Sequence, residues 1–148
     1  MKKLVFFFLL IVLISGCSLR KETFDLEKIQ QVADEQEYQF LDVSSQFDDE
    51  KIVSAHIVAT TLWQIEFYVL DTEENAYDMF MSNQASFKLK KESTSSEEEK
   101  SGVNYHYYSL ITADTFMYLN QVDNTLVYIH IPVEHRKKAL NFLKKIDY

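Results

Sequence analysis

Residues 115–131 read TFMYLNQVDNTLVYIHI, and this stretch decides the fold. Runs rich in apolar and aromatic side chains lie on both sides of Asp123-Asn124, and Asp and Asn tolerate the left-handed backbone conformation that a tight turn requires. We therefore predict a β-hairpin with strands near 115–122 and 125–131. Its expected cross-strand pairs are Asn120 with Val127, Tyr118 with Ile129, Phe116 with Ile131, Gln121 with Leu126, Leu119 with Tyr128, and Met117 with His130.

Both faces of this hairpin are substantially apolar. Side chains that lie directly opposite one another touch, so each face forms a continuous patch. In a sheet covered on one side, one patch stays partly exposed, and exposed apolar patches often mark binding surfaces. The candidate binding patch consists of Met117, Leu119, Tyr128 and His130. The alternative is that a helix covers each face of the sheet.

Further strands are predicted on either side of a central helix. Apolar residues alternate from Val53 to Ala59 and again from Trp63 to Val69, and period two places each set on one face. A third strand is expected near 103–111, directly before the hairpin. Asp71 and Glu74 have the spacing of a capping box, so a helix should open near Thr72.

Two terminal helices complete the predicted domain. Thr23 is placed to cap a first helix that runs to about Glu37, and Pro132 suits the first turn of a last helix. The inner stripe of this last helix is expected to contain Ala139, Leu140, Leu143 and Ile146. The resulting order α-β-β-α-β-β-β-α predicts an α+β domain with an antiparallel sheet of about five strands, packed with helices mainly on one face.

One segment interrupts this pattern. Residues 88–102 read KLKKESTSSEEEKSG, with no aromatic residue and Leu89 as the one apolar side chain. Such residues bury too little apolar surface to offset the entropy of ordering. We predict a mobile loop at about 88–102.

Composition excludes several classes of function. A loop that cradles phosphate needs closely spaced glycines, and the 148 residues contain two, Gly16 and Gly102. The formal net charge of −8 argues against nucleic acid as a partner, because its phosphates are bound by lysine and arginine.

The sequence contains no recognisable catalytic or metal-binding motif, and we predict no cofactor. The four histidines are scattered, without the clustered spacing of a metal site, at positions 56, 106, 130 and 135. Acidic runs at 48–50 and 97–99 lack the alternating oxygen ligands of a calcium loop. They are read as solvated charge.

A second candidate surface lies on the strand before the hairpin. Tyr105, His106, Tyr107 and Tyr108 could stack on sugar rings or on a peptide. Ordinary packing of alternate rings into the core is the favoured alternative.

The N-terminus has the layout of an export signal. Lys2 and Lys3 precede an unbroken apolar run of eleven residues, Leu4–Ile14. As a helix this run spans roughly 16 Å, against a bilayer core of about 30 Å. The segment is therefore too short for a stable transmembrane helix.

Ile14-Ser15-Gly16-Cys17 resembles the lipobox of bacterial lipoproteins. The resemblance implies cleavage between Gly16 and Cys17 and lipidation of Cys17, the one cysteine in the chain. The alternatives are a buried apolar cysteine or an ordinary secretory signal with a chance cysteine near its cleavage site. The expected organisation is a cleaved signal peptide at 1–16, a lipidated tether at 17–22 and one α+β domain at 23–148. Without Lys2 and Lys3, 13 basic residues face 23 acidic ones, a net charge of −10.

Two segments of the domain resemble small lipoproteins of low-GC Gram-positive bacteria. They are QIEFYVLDTEENA at Gln64–Ala76 and DNTLVYIHI at Asp123–Ile131. This resemblance implies no activity and no site.

These observations predict a protein anchored to the cell membrane by the Cys17 lipid, on the extracytoplasmic face. Its domain is expected to be a non-enzymatic module that binds an envelope protein or a cell-wall ligand. The alternatives are a small envelope hydrolase whose carboxylate and histidine groups meet on folding, and an accessory or inhibitory subunit of a membrane complex.

Overall fold

A computed structural model describes residues 20–148 of the chain. The predicted signal peptide and Cys17 lie outside this range. The helices are α1 (Leu26–Glu35), α2 (Glu73–Lys88) and α3 (Arg136–Lys145). The strands are β1 (Gln39–Asp42), β2 (Ile52–Ala59), β3 (Gln64–Leu70), β4 (Ser96–Ser101), β5 (Tyr105–Ile111), β6 (Thr115–Val122) and β7 (Thr125–Pro132). Within this range no helix is long and apolar enough to cross a bilayer.

The strands form one antiparallel sheet in the order β1-β2-β3-β7-β6-β5-β4. The α+β class is confirmed. The described part of the sheet has seven strands rather than about five, because short β1 and acidic β4 were not predicted. These two strands form the edges of the sheet, where a strand pairs on one side only.

The β6–β7 hairpin has the predicted register at all six pairs. Asp123 adopts φ 48°, in the left-handed region that a tight turn between strands requires. This hairpin occupies the middle of the sheet, with β5 on one side and β3 on the other.

The predicted loop at 88–102 is wrong in its second half. Residues Ser96–Ser101 form β4, paired with β5 from Ser96 opposite Ile111 to Ser101 opposite His106. All six β4 residues are exposed, so no apolar periodicity marks the strand. Backbone pairing holds it, and its charges suit an edge strand because they discourage further pairing with other chains.

The helix starts differ in detail from the predictions. Asp25, rather than Thr23, caps α1 by accepting a hydrogen bond from the backbone of Glu27 at 2.9 Å. Helix α2 opens near Thr72 as predicted, and the Thr72 side chain accepts from the Asn75 backbone at 3.1 Å. Pro132 precedes a short 3-10 turn, Val133–His135, and α3 follows this turn.

Helices cover both faces of the sheet, which corrects the prediction of cover mainly on one face. Helices α1 and α3 pack on the first face, and α2 packs on the second. The first core includes Ile29, Val32, Phe67, Val127, Ile129, Phe142 and Leu143. The second includes Tyr68, Phe80, Phe87, Tyr108, Met117, Leu119 and Leu126.

Candidate functional site

The structure divides the candidate binding patch of the hairpin. Met117 and Leu119 are fully buried at 0% exposure in the core beneath α2, so neither is available to a partner. Tyr128 and His130 lie on the same face and are half-buried. For Met117 and Leu119, the alternative prediction that a helix covers this face is therefore correct.

Helix α2 covers only part of the second face. One cross-strand row runs across all seven strands, and it reads Leu41, Ile57, Glu66, Tyr128, Leu119, Tyr108 and Glu99. The helix lies over β3, β7, β6 and β5, while Leu41 on β1 stays 45% exposed. We call the uncovered part the open half-face and define it by Leu41, Ile57, Glu66, Tyr128 and His130.

Glu66 provides the charge at the centre of the open half-face. It lies on β3 in the middle of the sheet and is half-buried. Tyr68 donates its hydroxyl hydrogen to Oε2, and Gln64 Nε2 donates to Oε1 at 2.7 Å. Burial and the bond to Glu66 raise the pKa of Tyr68 well above its usual range. The carboxylate is thus held in one orientation by two neighbours on its own strand.

Tyr128 lies directly opposite Glu66 on the neighbouring strand. Its ring packs against Phe87 of α2, with 5.4 Å between the ring centroids. Burial, and then the charge of Glu66, raise the pKa of Tyr128 above its usual value, so the phenol stays protonated. This residue marks the boundary between the part of the face that α2 covers and the open part.

His130 and Lys90 form the far side of the site. Lys90 follows the C-terminus of α2, and its Nζ lies 3.5 Å from His130 Nε2. The His130 ring also contacts Phe87, at 5.8 Å between ring centroids. Burial and then the Lys90 charge lower the pKa of His130, and Glu66 acts in the opposite direction. His130 is therefore neutral at neutral pH.

The Lys90→Gln substitution is expected to raise the pKa of His130 toward its ordinary value of 6.5, because the ammonium group that disfavours protonation is removed. The measurement is an NMR titration of the imidazole carbon protons, with the His130 signal assigned from a His130→Gln variant. Lys91→Gln is the matched control, since Lys91 pairs with Glu97 instead. A His130 midpoint that stays in place or falls in Lys90→Gln would contradict the contact.

This arrangement offers charged and hydrogen-bonding groups to a ligand. An oriented carboxylate, two protonated phenols, a neutral imidazole and an ammonium group surround an apolar floor on an open surface. These groups can pair with charges and donate or accept hydrogen bonds, and ring faces near a carboxylate also attract cations. Within residues 20–148, no three His, Cys, Asp or Glu side chains are grouped to hold a metal ion.

The four histidines lie at four separate places. His56 stacks on Phe40 at 5.3 Å between ring centroids, and His106 packs against Tyr77 at 4.6 Å. His135 is buried beside Glu134, with 3.3 Å between Nε2 and Oε1. Two histidines in one pocket beside a carboxylate would have favoured the hydrolase alternative, and the structure places the four histidines apart.

The second candidate surface, Tyr105–Tyr108, is used largely for packing. Tyr108 is fully buried, and its hydroxyl donates to Glu97 Oε1 at 2.9 Å. The Tyr107 hydroxyl donates to Ser109 Oγ at 3.1 Å, and the Tyr105 ring lies beneath Lys21 Nζ, 4.1 Å from its centroid. The tyrosines of this strand therefore follow the favoured alternative, in which the rings are used for packing.

Sequence reasoning missed Glu66 and Lys90 as site residues. A signal for Glu66 was present, since a lone acid lies between apolar residues in the strand QIEFYVL. Lys90 carried no such signal, because it belongs to a polar run whose path after α2 depends on the tertiary fold.

Comparisons with known proteins give limited similarity. No family model and no curated protein matches this chain. Among solved structures, the chain is similar to a GTP-binding regulator from Thermotoga maritima, with 15% sequence identity and a TM-score of 0.43. The alignment covers 86% of this chain and 87% of that one. Similarity at this level carries no argument about function.

Proposed function

We propose that this chain is a lipid-anchored extracytoplasmic protein whose domain acts as a non-enzymatic binding module at the cell envelope. The N-terminal sequence supports the anchor. A basic start, a short apolar run and Ile14-Ser15-Gly16-Cys17 follow one another in the order of a lipoprotein signal. The mature net charge of −10 would be repelled by an anionic membrane, so the lipid itself provides retention.

The open half-face is the observation that carries the binding role. It combines an exposed apolar edge at Leu41 with the held carboxylate of Glu66 and the half-buried ring of Tyr128. Polar groups fixed in place on an apolar floor are typical of recognition surfaces. A neighbouring envelope protein that presents a cationic side chain to Glu66 is the partner that this chemistry fits.

In-cell photo-crosslinking tests the binding role in the intact lipoprotein. A benzophenone amino acid at position 41 lies on the open half-face, and the same residue at the exposed position 141 lies on α3, on the opposite face. We expect a discrete adduct from position 41 and none of that mass from position 141.

The Glu66→Gln substitution makes this test specific, because it keeps the shape of the side chain and removes its charge. A hydrogen bond to a charged group contributes about 1.5–3 kcal/mol, so the yield of the position-41 adduct should fall roughly tenfold or more. The matched control is Glu73→Gln, at the exposed start of α2. An adduct of equal yield from both positions, or one that Glu66→Gln leaves unchanged, would overturn the binding role.

A further inference from the structure

The segment that precedes α1 is fastened to one end of the sheet. Arg20 Nη2 lies 3.1 Å from Asp123 Oδ1. The Lys21 backbone donates to Asn104 Oδ1 at 3.0 Å, and Asn104 Nδ2 donates back to the Lys21 carbonyl at 2.9 Å. We call these four residues, Arg20, Lys21, Asn104 and Asp123, the N-terminal clasp.

Asn104 makes the clasp more than a surface ion pair. The Arg20 side chain is 67% exposed, and exposed ion pairs contribute little to stability. Asn104, in contrast, is only 5% exposed, and its carbonyl accepts from the Asp123 backbone at 2.9 Å. Phe24, three residues after Lys21, is buried against Phe67, with 5.3 Å between ring centroids. Reciprocal amide bonds and a buried aromatic ring therefore hold the segment from Arg20 to Phe24.

The clasp lies at the end of the sheet farthest from His130 and Lys90. Asn104 directly precedes β5, and Asp123 lies in the turn between β6 and β7. Strand β7 starts beside this turn and runs eight residues away from it, about 25 Å at ~3.4 Å per residue. His130 and the C-terminus of α2 lie toward that far end, since Phe87 contacts His130.

Chain length then limits where the domain can sit. Three backbone steps separate Cys17 from Arg20, and at ~3.6 Å each they reach about 11 Å at most. Val103, beside Asn104, is 77% exposed at the clasp end. Its apolar side chain suits contact with a lipid surface. Glu73 and Glu74, at the start of α2, lie near the same turn, because Leu70 bonds Asn124, so the short link to Cys17 and not charge directs this end to the bilayer.

We infer that the clasp end of the sheet faces the bilayer and that His130 and Lys90 point away from it, toward the envelope. This inference rests on the proposed lipidation of Cys17. A lipid on Cys17 then holds the domain in one orientation instead of serving as a loose tether. The open half-face is left accessible from its far end.

Depth-dependent fluorescence quenching tests the orientation on the mature acylated protein. Val103→Cys and Leu89→Cys place single thiols at exposed positions at opposite ends, 77% and 89% exposed in the native chain. Each thiol is labelled with a nitrobenzoxadiazole dye, and the protein is reconstituted into phosphatidylcholine–phosphatidylglycerol vesicles that contain a headgroup nitroxide lipid. We expect at least twofold stronger quenching at position 103 than at position 89. Equal quenching, or stronger quenching at position 89, overturns the orientation.

The unsubstituted chain separates this inference from the proposed anchor. With Cys17 acylated, it should take up no dye and should sediment with the vesicles. Dye on the unsubstituted chain shows a free Cys17 thiol and defeats the anchor itself, whereas vesicle-bound protein with equal quenching defeats only the orientation.

A second variant tests whether the clasp causes this orientation of the domain. Asn104→Ala removes both reciprocal amide bonds to Lys21, so the difference in quenching between the two positions should shrink. Asn75→Ala is the matched control, since its side chain bonds Asp71 at the exposed start of α2. If the difference in quenching between positions 103 and 89 is unchanged in Asn104→Ala, the clasp does not cause the orientation. That result overturns this part of the inference.

Discussion

The Cys17→Ser substitution is expected to abolish the incorporation of labelled fatty acid into this chain. The thiol sulfur is the nucleophile that lipidation requires, and a serine hydroxyl is a far weaker nucleophile at neutral pH. In a Gram-positive host grown with labelled palmitate, the native chain should carry label and sediment with the membrane. The variant should carry only background label and appear either as a released domain or as an unprocessed precursor.

The size of this effect follows from membrane partitioning. Acyl chains contribute about 0.8 kcal/mol for each buried CH₂ group, so two chains hold a protein far more firmly than one. Loss of the lipid should therefore remove most of the processed protein from the membrane fraction.

Ser18→Ala is the control for this experiment, since it changes the neighbouring residue and leaves the cysteine in place. It should be labelled and processed like the native chain. Full labelling of Cys17→Ser would show that the fatty acid is attached elsewhere and would refute the proposed anchor.

The parts of the fold that could be predicted are those in which local pattern and tertiary contact agree. Around Asp123 the turn residues and the apolar runs on either side of them specify the same hairpin, and its register follows. The start of helix α2 was predictable because residues that favour helix N-termini lie there. The cap is Thr72 rather than the predicted Asp71, which accepts a hydrogen bond from the Asn75 side chain instead. In both cases the information lies in one short, continuous stretch of sequence.

The edge strands carry no such local information. Strand β4 reads SEEEKS, and none of its side chains is buried, so its pairing with β5 depends on a neighbour that the tertiary fold provides. Strand β1 has four residues, too few to show an alternating pattern. For the same reason the number of strands was underestimated while the fold class was correct.

The candidate site was half-predictable for a related reason. Tyr128 and His130 belong to the hairpin, so the sequence places them on one face together with Met117 and Leu119. Which of the four stays accessible depends on where α2 lies across the sheet. Chain order alone does not determine that position.

The Leu119→Ala substitution is expected to lower the free energy of unfolding by about 2–5 kcal/mol, the range for removing a large aliphatic side chain from a packed core. Leu119 is 0% exposed on β6, between Tyr108 and Tyr128 in the cross-strand row and within the core beneath α2. Its removal leaves a cavity between the helix and the sheet. Urea unfolding followed by circular dichroism measures the change.

Leu89→Ala provides the matched control, because it makes the same chemical change at a side chain that is 89% exposed. Its effect should stay within about 0.5 kcal/mol, as for most surface substitutions. Domains of this size are stable by about 5–15 kcal/mol, so the Leu119 variant should still fold and the difference between the two should be measurable. If Leu119→Ala cost no more than Leu89→Ala, α2 would not cover this part of the face. The whole hairpin patch would then be available to a partner, and the binding surface would extend from Tyr128 and His130 to Met117 and Leu119.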